Sequence, residues 1–358
     1  MRFSIVIPAY NAQDVLITCV SSVLSQEGVE LEVIIVDDGS RDATLEVARK
    51  LSASDPRIRV VAKPNGGVSS ARNAGLAAVT GDVVLFVDAD DELVPGALAS
   101  IDQRMSYGGV DCVVFGVRID PPERAPLTLS HRLKPSNAII EDNPHRLIFE
   151  EPTHPYAFRV AFMRDFLALN GLRFDERLSL GEDEHFLMVA YALAHRAITT
   201  SEQLYVYRMS DESASHKDNA SDEVLSQKVD KHLALVSSVF ESWRGRDLDH
   251  GCDADLLLWA LDLLLLDTGR LDLAEQKRVC RDLWKTLVGY FGEDGGRSLL
   301  HGSAAHCLDA VAKAASSEGE LRSPAVSKRL LVPFYISSRG LSAVGERAWA
   351  MLHGRGAY

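Results

Sequence analysis

The stretch VVLFVDADDEL, Val83 to Leu93, runs five apolar residues and then places Asp88, Asp90, Asp91 and Glu92 within five positions. Like charges this close repel, so such a group at a strand end is either well solvated or neutralised by a cation. The D-x-D spacing of Asp88 and Asp90 suits a hard divalent ion. So few protein oxygens fit Mg2+ or Mn2+, which complete their shells with water and substrate phosphates. Two more acid groups stand out: Asp37 and Asp38 in VDDGS, and Glu182, Asp183 and Glu184 in GEDEHF. Taken singly, each has a plain structural reading, as a solvated turn or as first-turn acids favoured by a helix dipole.

What must position these acids is an α/β sheet. FSIVIP and LEVIIVDDGS are short, β-branched and nearly continuously apolar, as strands buried on both faces are. Between them AQDVLITCVSSVLSQEG carries Val15, Leu16, Cys19, Val20, Val23 and Leu24 at helical spacing. The alternation continues with a helix over 43–53, a strand RIRVVA, a helix over 68–79, the strand VVLFVD and a helix over 95–105. A mostly parallel, Rossmann-like sheet built this way presents its ligand at the carboxyl ends of the strands, where the acid groups fall. Further along, VDCVVFGVRI reads as a strand, and residues 120–145 as a Pro-rich excursion suited to a lid or acceptor loop. Helices are expected over 156–169 and 183–195, then a strand at QLYVYRM. Past Asp222 only helical patterns remain, which puts a domain boundary near residue 220: 1–220 α/β and 221–358 helical.

Composition narrows the classes. A net charge of −13 over 358 residues argues against a general nucleic-acid binder, which needs a basic surface. Five scattered cysteines form no CxxC pair, so a reducing compartment is the simpler reading. No uncharged apolar run approaches the ~20 residues of a membrane span. DADLLLWALDLLLLDT, interrupted by Asp255, Asp262 and Asp267, reads as a buried helix. The expected location is cytoplasmic.

FSIVIPAYN, VIIVDDGSRDAT, NGGVSSARNAGLAAVTGDVVLFVDADDEL and LGEDEHF together resemble, in order and rough spacing, the family 2 glycosyltransferases with the GT-A fold. The resemblance covers about residues 1–215. It implies an inverting transfer of a sugar from a nucleotide donor, expected to be UDP-linked, to a hydroxyl of a glycan, cell-envelope polymer or lipid-linked acceptor. It implies that Pro8, Tyr10 and Asn11 line the nucleotide pocket, that Asp38 accepts from the uracil edge, and that Arg72 lies near the base or diphosphate. Asp88 would contact the ribose and Asp90 would hold Mn2+ or Mg2+, with His216 as a further metal ligand. Asp183 would be the catalytic base, supported by Glu182; one carboxylate suffices for a single displacement, unlike the pair a glycosidase needs. Asp91 reads as a helix N-cap or a supporting acceptor, Glu92 as a first-turn helix charge. Arg208 would face phosphate or pair with Asp211.

From Leu321 to Tyr358 six basic residues face one acid, mixed with Leu330, Leu331, Phe334, Tyr335, Leu341 and Trp349. That mixture suits an anionic membrane surface, and equally a packed helix with a solvated basic face. Flotation of intact and tail-truncated protein with anionic liposomes separates the two. A homodimer through the helical domain is a further expected partner. Two other readings compete: a sugar nucleotidyltransferase, which would open on a Gly-rich phosphate loop where this chain has PAYNAQD, and a non-catalytic binding or scaffolding module. A dinucleotide oxidoreductase would need G-x-G-x-x-G after the first strand, which is absent.

Overall fold

The computed structural model describes residues 1–124, 127–153, 156–209, 222–248 and 251–337. They fall into two compact units, Met1–Ser210 and Asp211–Tyr358. In the first unit β1 (Arg2–Ala9), β2 (Glu30–Asp37), β3 (Ile58–Ala62) and β4 (Val83–Phe86) lie parallel in the order β3-β2-β1-β4. The crossover helices are α1 (Leu16–Leu24), α2 (Thr44–Ser54) and α3 (Val68–Leu76). The apolar runs behave as their composition requires: Ile5, Val6, Ile7, Val33, Ile34, Ile35 and Val83 to Phe86 are fully buried.

Register decides which acids meet. Ala9 pairs with Asp37, so β1 and β2 end flush, and the Asp38 N–H donates to the Ala9 carbonyl at 2.9 Å. Val87 N–H donates to the Val6 carbonyl, carrying the chain from β4 into Asp88 alongside the end of β1. The order reverses between β1 and β4, and a crevice at such a point is where open α/β sheets bind ligands.

The rest of the sheet is mixed. β4 pairs antiparallel with β8 (Val160–Met163), which pairs with β6 (Cys112–Asp120), and β6 runs parallel to β9 (Arg196–Arg208). β9 takes β5 (Glu92–Leu93) and β7 (Ala138–Glu141) antiparallel. Four sequence expectations change here. The helix expected over 156–169 is a 3-10 turn, Ala157–Arg159, then β8, then α6 (Arg164–Leu169). Val160 is the only β-branched residue in that segment, and VAFM is too short to read as a strand without its partners. The excursion carries α5 (Leu127–Arg132) and β7 rather than open loop. Glu92 belongs to β5 instead of a helix, and Asp91 caps no helix, because α4 (Ala97–Met105) starts after Gly96. The GEDEHF acids do open α7 (Glu182–Leu193).

In the second unit α8 (Asp222–Gly245), α9 (Asp253–Thr268), α10 (Leu273–Phe291) and α11 (Gly302–Ser316) pack on one another. α9 is the apolar DADLLLWALDLLLLDT run, and Leu256, Leu257, Ala260, Leu261, Leu264 and Leu265 are buried as expected. Asp272 caps α10 through its carboxylate on the Glu275 N–H. No helix among the described residues is long and apolar enough to cross a membrane. All five cysteines are free and buried. His216 and much of the basic tail, with Arg339, Arg347 and Arg355, lie outside the described residues.

α3 can approach β1 only because residue 75 lacks a side chain: a Cβ there would stand 2.3 Å from Val6 Cγ1. Gly75→Ala should therefore destabilise the first unit by about 1–3 kcal/mol, the usual cost of overpacking. Urea unfolding with an unchanged midpoint would contradict that packing.

Candidate active site

The loop after β2 is built around a buried carboxylate. Asp38 accepts from the Gly66 N–H at 3.0 Å and the Gly67 N–H at 2.8 Å, and from Lys63 Nζ at 2.5 Å. Asn65 Nδ2 donates to the Asp38 carbonyl. This close approach depends on Gly39, with φ of +69°, since a Cβ there would lie 2.6 Å from Asn65 N. Asp38 thus organises the 63–67 loop and the start of α3. Its neighbour Asp37 is buried, accepts from the Ser40 N–H at 3.4 Å, and among the described residues its Oδ1 has no hydrogen-bond partner.

On the β1 side Pro8 is half-buried and Tyr10 is exposed. Asn11 takes φ of +50°, which Asn tolerates, and ties this loop to the next. Its N–H donates to Ser40 Oγ, and its Oδ1 accepts from the Arg41 N–H at 2.9 Å.

Arg72 occupies the centre. It is 3% exposed, on α3, and its guanidinium reaches two acid groups 95 residues apart in sequence. Nη1 donates to Asp183 Oδ1 at 2.5 Å and Nη2 to Asp88 Oδ1 at 3.0 Å, with Glu182 Oε1 3.7 Å from Nη1. The guanidinium also lies over the Phe174 ring, 5.2 Å from its centroid. Burial works against the charge of Arg72, but the carboxylates of Asp183, Asp88 and Glu182 outweigh it and hold the group more basic than usual.

Asp183 responds to the same forces in the opposite sense. Burial pushes its carboxyl up to about 7. Arg72 opposes the rise, Glu182 and Asp88 add to it, and the Ala157 N–H on Oδ2 at 3.1 Å favours the ion. A carboxyl poised near neutrality is what a general base requires.

The four acids after β4 divide their work. Asp91 is fully buried; its Oδ2 accepts from Tyr205 Oη at 2.7 Å and its Oδ1 from the Arg208 N–H at 2.7 Å. Tyr205 Oη in turn accepts the Asp88 N–H at 3.1 Å, locking the acid loop to β9. Glu92 pairs with Arg208, whose Nη1 takes Asp120 at 2.7 Å. Arg208 is therefore committed to these two carboxylates; Asp211 lies outside the described residues. Asp90 alone is exposed and in no ion pair among the described residues, and its carboxyl titrates above the ordinary range, through desolvation and then Asp88. It borders a cleft with Asp14, just before α1, and Thr18 of α1. Cys19, buried beneath, donates from Sγ to the Asp88 carbonyl, and burial with the four acids pushes its thiol far up, an inert thiol.

The structure thus gathers Arg72, Asp88, Glu182 and Asp183, with Asp38 and Asn11 shaping the adjoining loops. Sequence reasoning missed Lys63, Tyr205 and Phe174. Each acts through a partner distant in sequence, and only NGG after Lys63 marked an unusual turn.

No three His, Cys, Asp or Glu side chains among the described residues converge as a metal site. Asp90 by itself fits a divalent ion of the kind held by one carboxylate plus substrate phosphates.

Residues 4–169 match the model of glycosyl transferase family 2. Among curated relatives, an uncharacterized glycosyltransferase EpsJ of Bacillus subtilis is 31% identical over 57% of this chain and 60% of its own length. The succinoglycan biosynthesis protein ExoO of Rhizobium meliloti is 32% identical over 59% of this chain and 61% of its own. The chain thus spans about 60% of the length of these relatives. Among solved structures, Staphylococcus aureus TarS 1–349 superposes with a TM-score of 0.70 at 20% identity over 88% of each chain, and its complex with UDP-GlcNAc with 0.66. That likeness is one of fold.

If burial raises Asp183, its ionisation opposes folding: its contribution is fully present below about pH 4 and is lost as pH rises through about 7. Asp183→Asn lacks this dependence. Its melting temperature should gain on that of the wild type between pH 5 and pH 8. A gap constant across that range would show that the carboxyl is not raised.

Proposed function

We propose that this chain, whose residues 4–169 match the model of glycosyl transferase family 2, transfers a sugar from a nucleotide donor, UDP-linked, to a hydroxyl of a glycan, polymer or lipid-linked acceptor, with inversion. The observation that carries this reading is Arg72, which joins Asp88 and Asp183 at the strand-end crevice through hydrogen bonds of 3.0 and 2.5 Å. The TarS complex with UDP-GlcNAc, on the same fold, supports a UDP-sugar as the donor to try first.

In this reading the donor lies against the loops after β1 and β2, with Asp88 toward its ribose. Asp183 takes the proton of the acceptor hydroxyl as that oxygen attacks the anomeric carbon. The bond from that carbon to the diphosphate oxygen breaks on the opposite face, and the nucleoside diphosphate leaves. Asp183 must be ionised to act, and Arg72 is the group that holds it so in a buried place. A divalent cation at Asp90 would offset the charge of the departing diphosphate. Glu182, beside the base, keeps its pKa high enough to accept a proton. Contacts of the basic tail with an anionic membrane, and of the helical unit with a second copy, belong to the same proposal.

The test is a panel of UDP-, GDP-, dTDP- and CMP-sugars with Mn2+ or Mg2+. One UDP-sugar should bind and turn over, with metal-dependent binding lost in Asp90→Ala. Asp183→Asn should retain binding and lose about 100- to 10,000-fold in kcat. The wild-type kcat/KM should climb as pH passes through about 7, and Glu182→Gln should move that rise to lower pH, because one like charge is gone. Failure of every sugar nucleotide to bind would leave the scaffold reading in its place.

A further inference from the structure

Asn73, next to Arg72 on α3, is buried, and its carboxamide closes around the backbone of a residue 101 positions away. Oδ1 accepts from the Phe174 N–H at 2.9 Å, while Nδ2 donates to the Phe174 carbonyl at 2.9 Å and to Glu176 Oε1 at 2.9 Å. One side chain satisfies both main-chain groups of Phe174, as a neighbouring strand would. The orientation of the amide follows from the partners, since an N–H demands an acceptor and a carbonyl a donor.

Phe174 supports two things. One face of its ring lies under the Arg72 guanidinium. The ring also stacks on Phe186 with centroids 4.2 Å apart and meets Phe86 edge-on at 5.1 Å. Phe186 sits on α7, three residues after Asp183. The ring is therefore wedged between the cation and the helix that carries the cation's carboxylate partner. Any drift of Phe174 moves the two ends of that ion pair independently.

We propose that Asn73 is the positioning residue of the Arg72–Asp183 pair, holding Phe174 so that the guanidinium and the base stay in contact. The inference deepens the reading of Asp183 as a general base and rests on it. Facing Asp183 are Arg72 from α3, Asp88 from the acid loop, Glu182 from its own helix and the Ala157 N–H. Among these Arg72 supplies the one full positive charge. Loosening it leaves burial and two like charges in control, so Asp183 holds its proton to higher pH.

The test uses the full chain with Asn73→Ala and Phe174→Leu. The Asp183 carboxyl is titrated by 13C NMR, its signal assigned with Asp183→Asn, and UDP-sugar hydrolysis is followed against pH. In both variants the Asp183 midpoint and the rising limb of kcat should move up by about one pH unit. The kcat at pH 7 should fall about fivefold with KM for the sugar donor little changed. Phe174→Leu keeps the backbone clasp and removes the ring, so it reads the same outcome if Asn73→Ala fails to fold. A folded variant with the wild-type midpoint, losing rate only in proportion to its folded fraction, overturns the inference. If wild type hydrolyses no UDP-sugar but the midpoint moves as stated, Asn73 keeps this role and the transferase reading falls instead.

Discussion

One buried guanidinium sets the terms for this crevice. Arg72 is buried, and carboxylates that meet it in good geometry offset the cost of burying its charge. It meets Asp88 from the loop after β4 and Asp183 from the first turn of α7, and so joins the two ends of the site through a single side chain. The arrangement holds more negative than positive charge. Burial first, and that excess after it, push the Asp183 carboxyl up to about 7 against the pull of Arg72.

The acid loop answers the puzzle of four carboxylates crowded after a buried strand. They do not share one task. Asp91 is sealed into the fold by Tyr205 and a main-chain N–H, Glu92 is matched by Arg208, and Asp88 by Arg72. Only Asp90 is left exposed to the crevice without an ion pair among the described residues. Repulsion within the cluster is thus relieved by three partners from two elements, Tyr205 and Arg208 of β9 and Arg72 of α3, and the remaining charge is held where a cation could use it.

Support for this arrangement runs through aromatic and amide groups behind the acids. Phe158 stacks on Tyr205 at 4.5 Å, and Phe174 stacks on Phe186 at 4.2 Å. The first pair lies behind the acid loop and the second behind the base. Rings of this size give well-defined, rigid contacts. The carboxamide of Asn73 then fixes the Phe174 backbone.

Much of this was legible in one dimension. The β-branched runs ending in acids marked the parallel strands and placed Asp38 and Asp88 at their carboxyl ends, because burial on both faces leaves an apolar signature that needs no partner to be read. The helical second unit was visible for a similar reason, in the periodic apolar residues of α8 and the all-round apolar α9. Short edge elements were not. VAFM and Glu92–Leu93 are strands only because β4, β6 and β9 lie beside them, and four or two residues carry no periodicity. Nor could sequence say that Glu92 serves a strand, that Asp91 holds Tyr205, or that Arg72 touches both Asp88 and Asp183. By itself the sequence determined which residues could ionise and which segments must be buried, since those are properties of side chains and their spacing. The tertiary structure alone decided which charges meet and how far water is excluded from them, because pairing and desolvation depend on distances between parts of the chain a hundred residues apart.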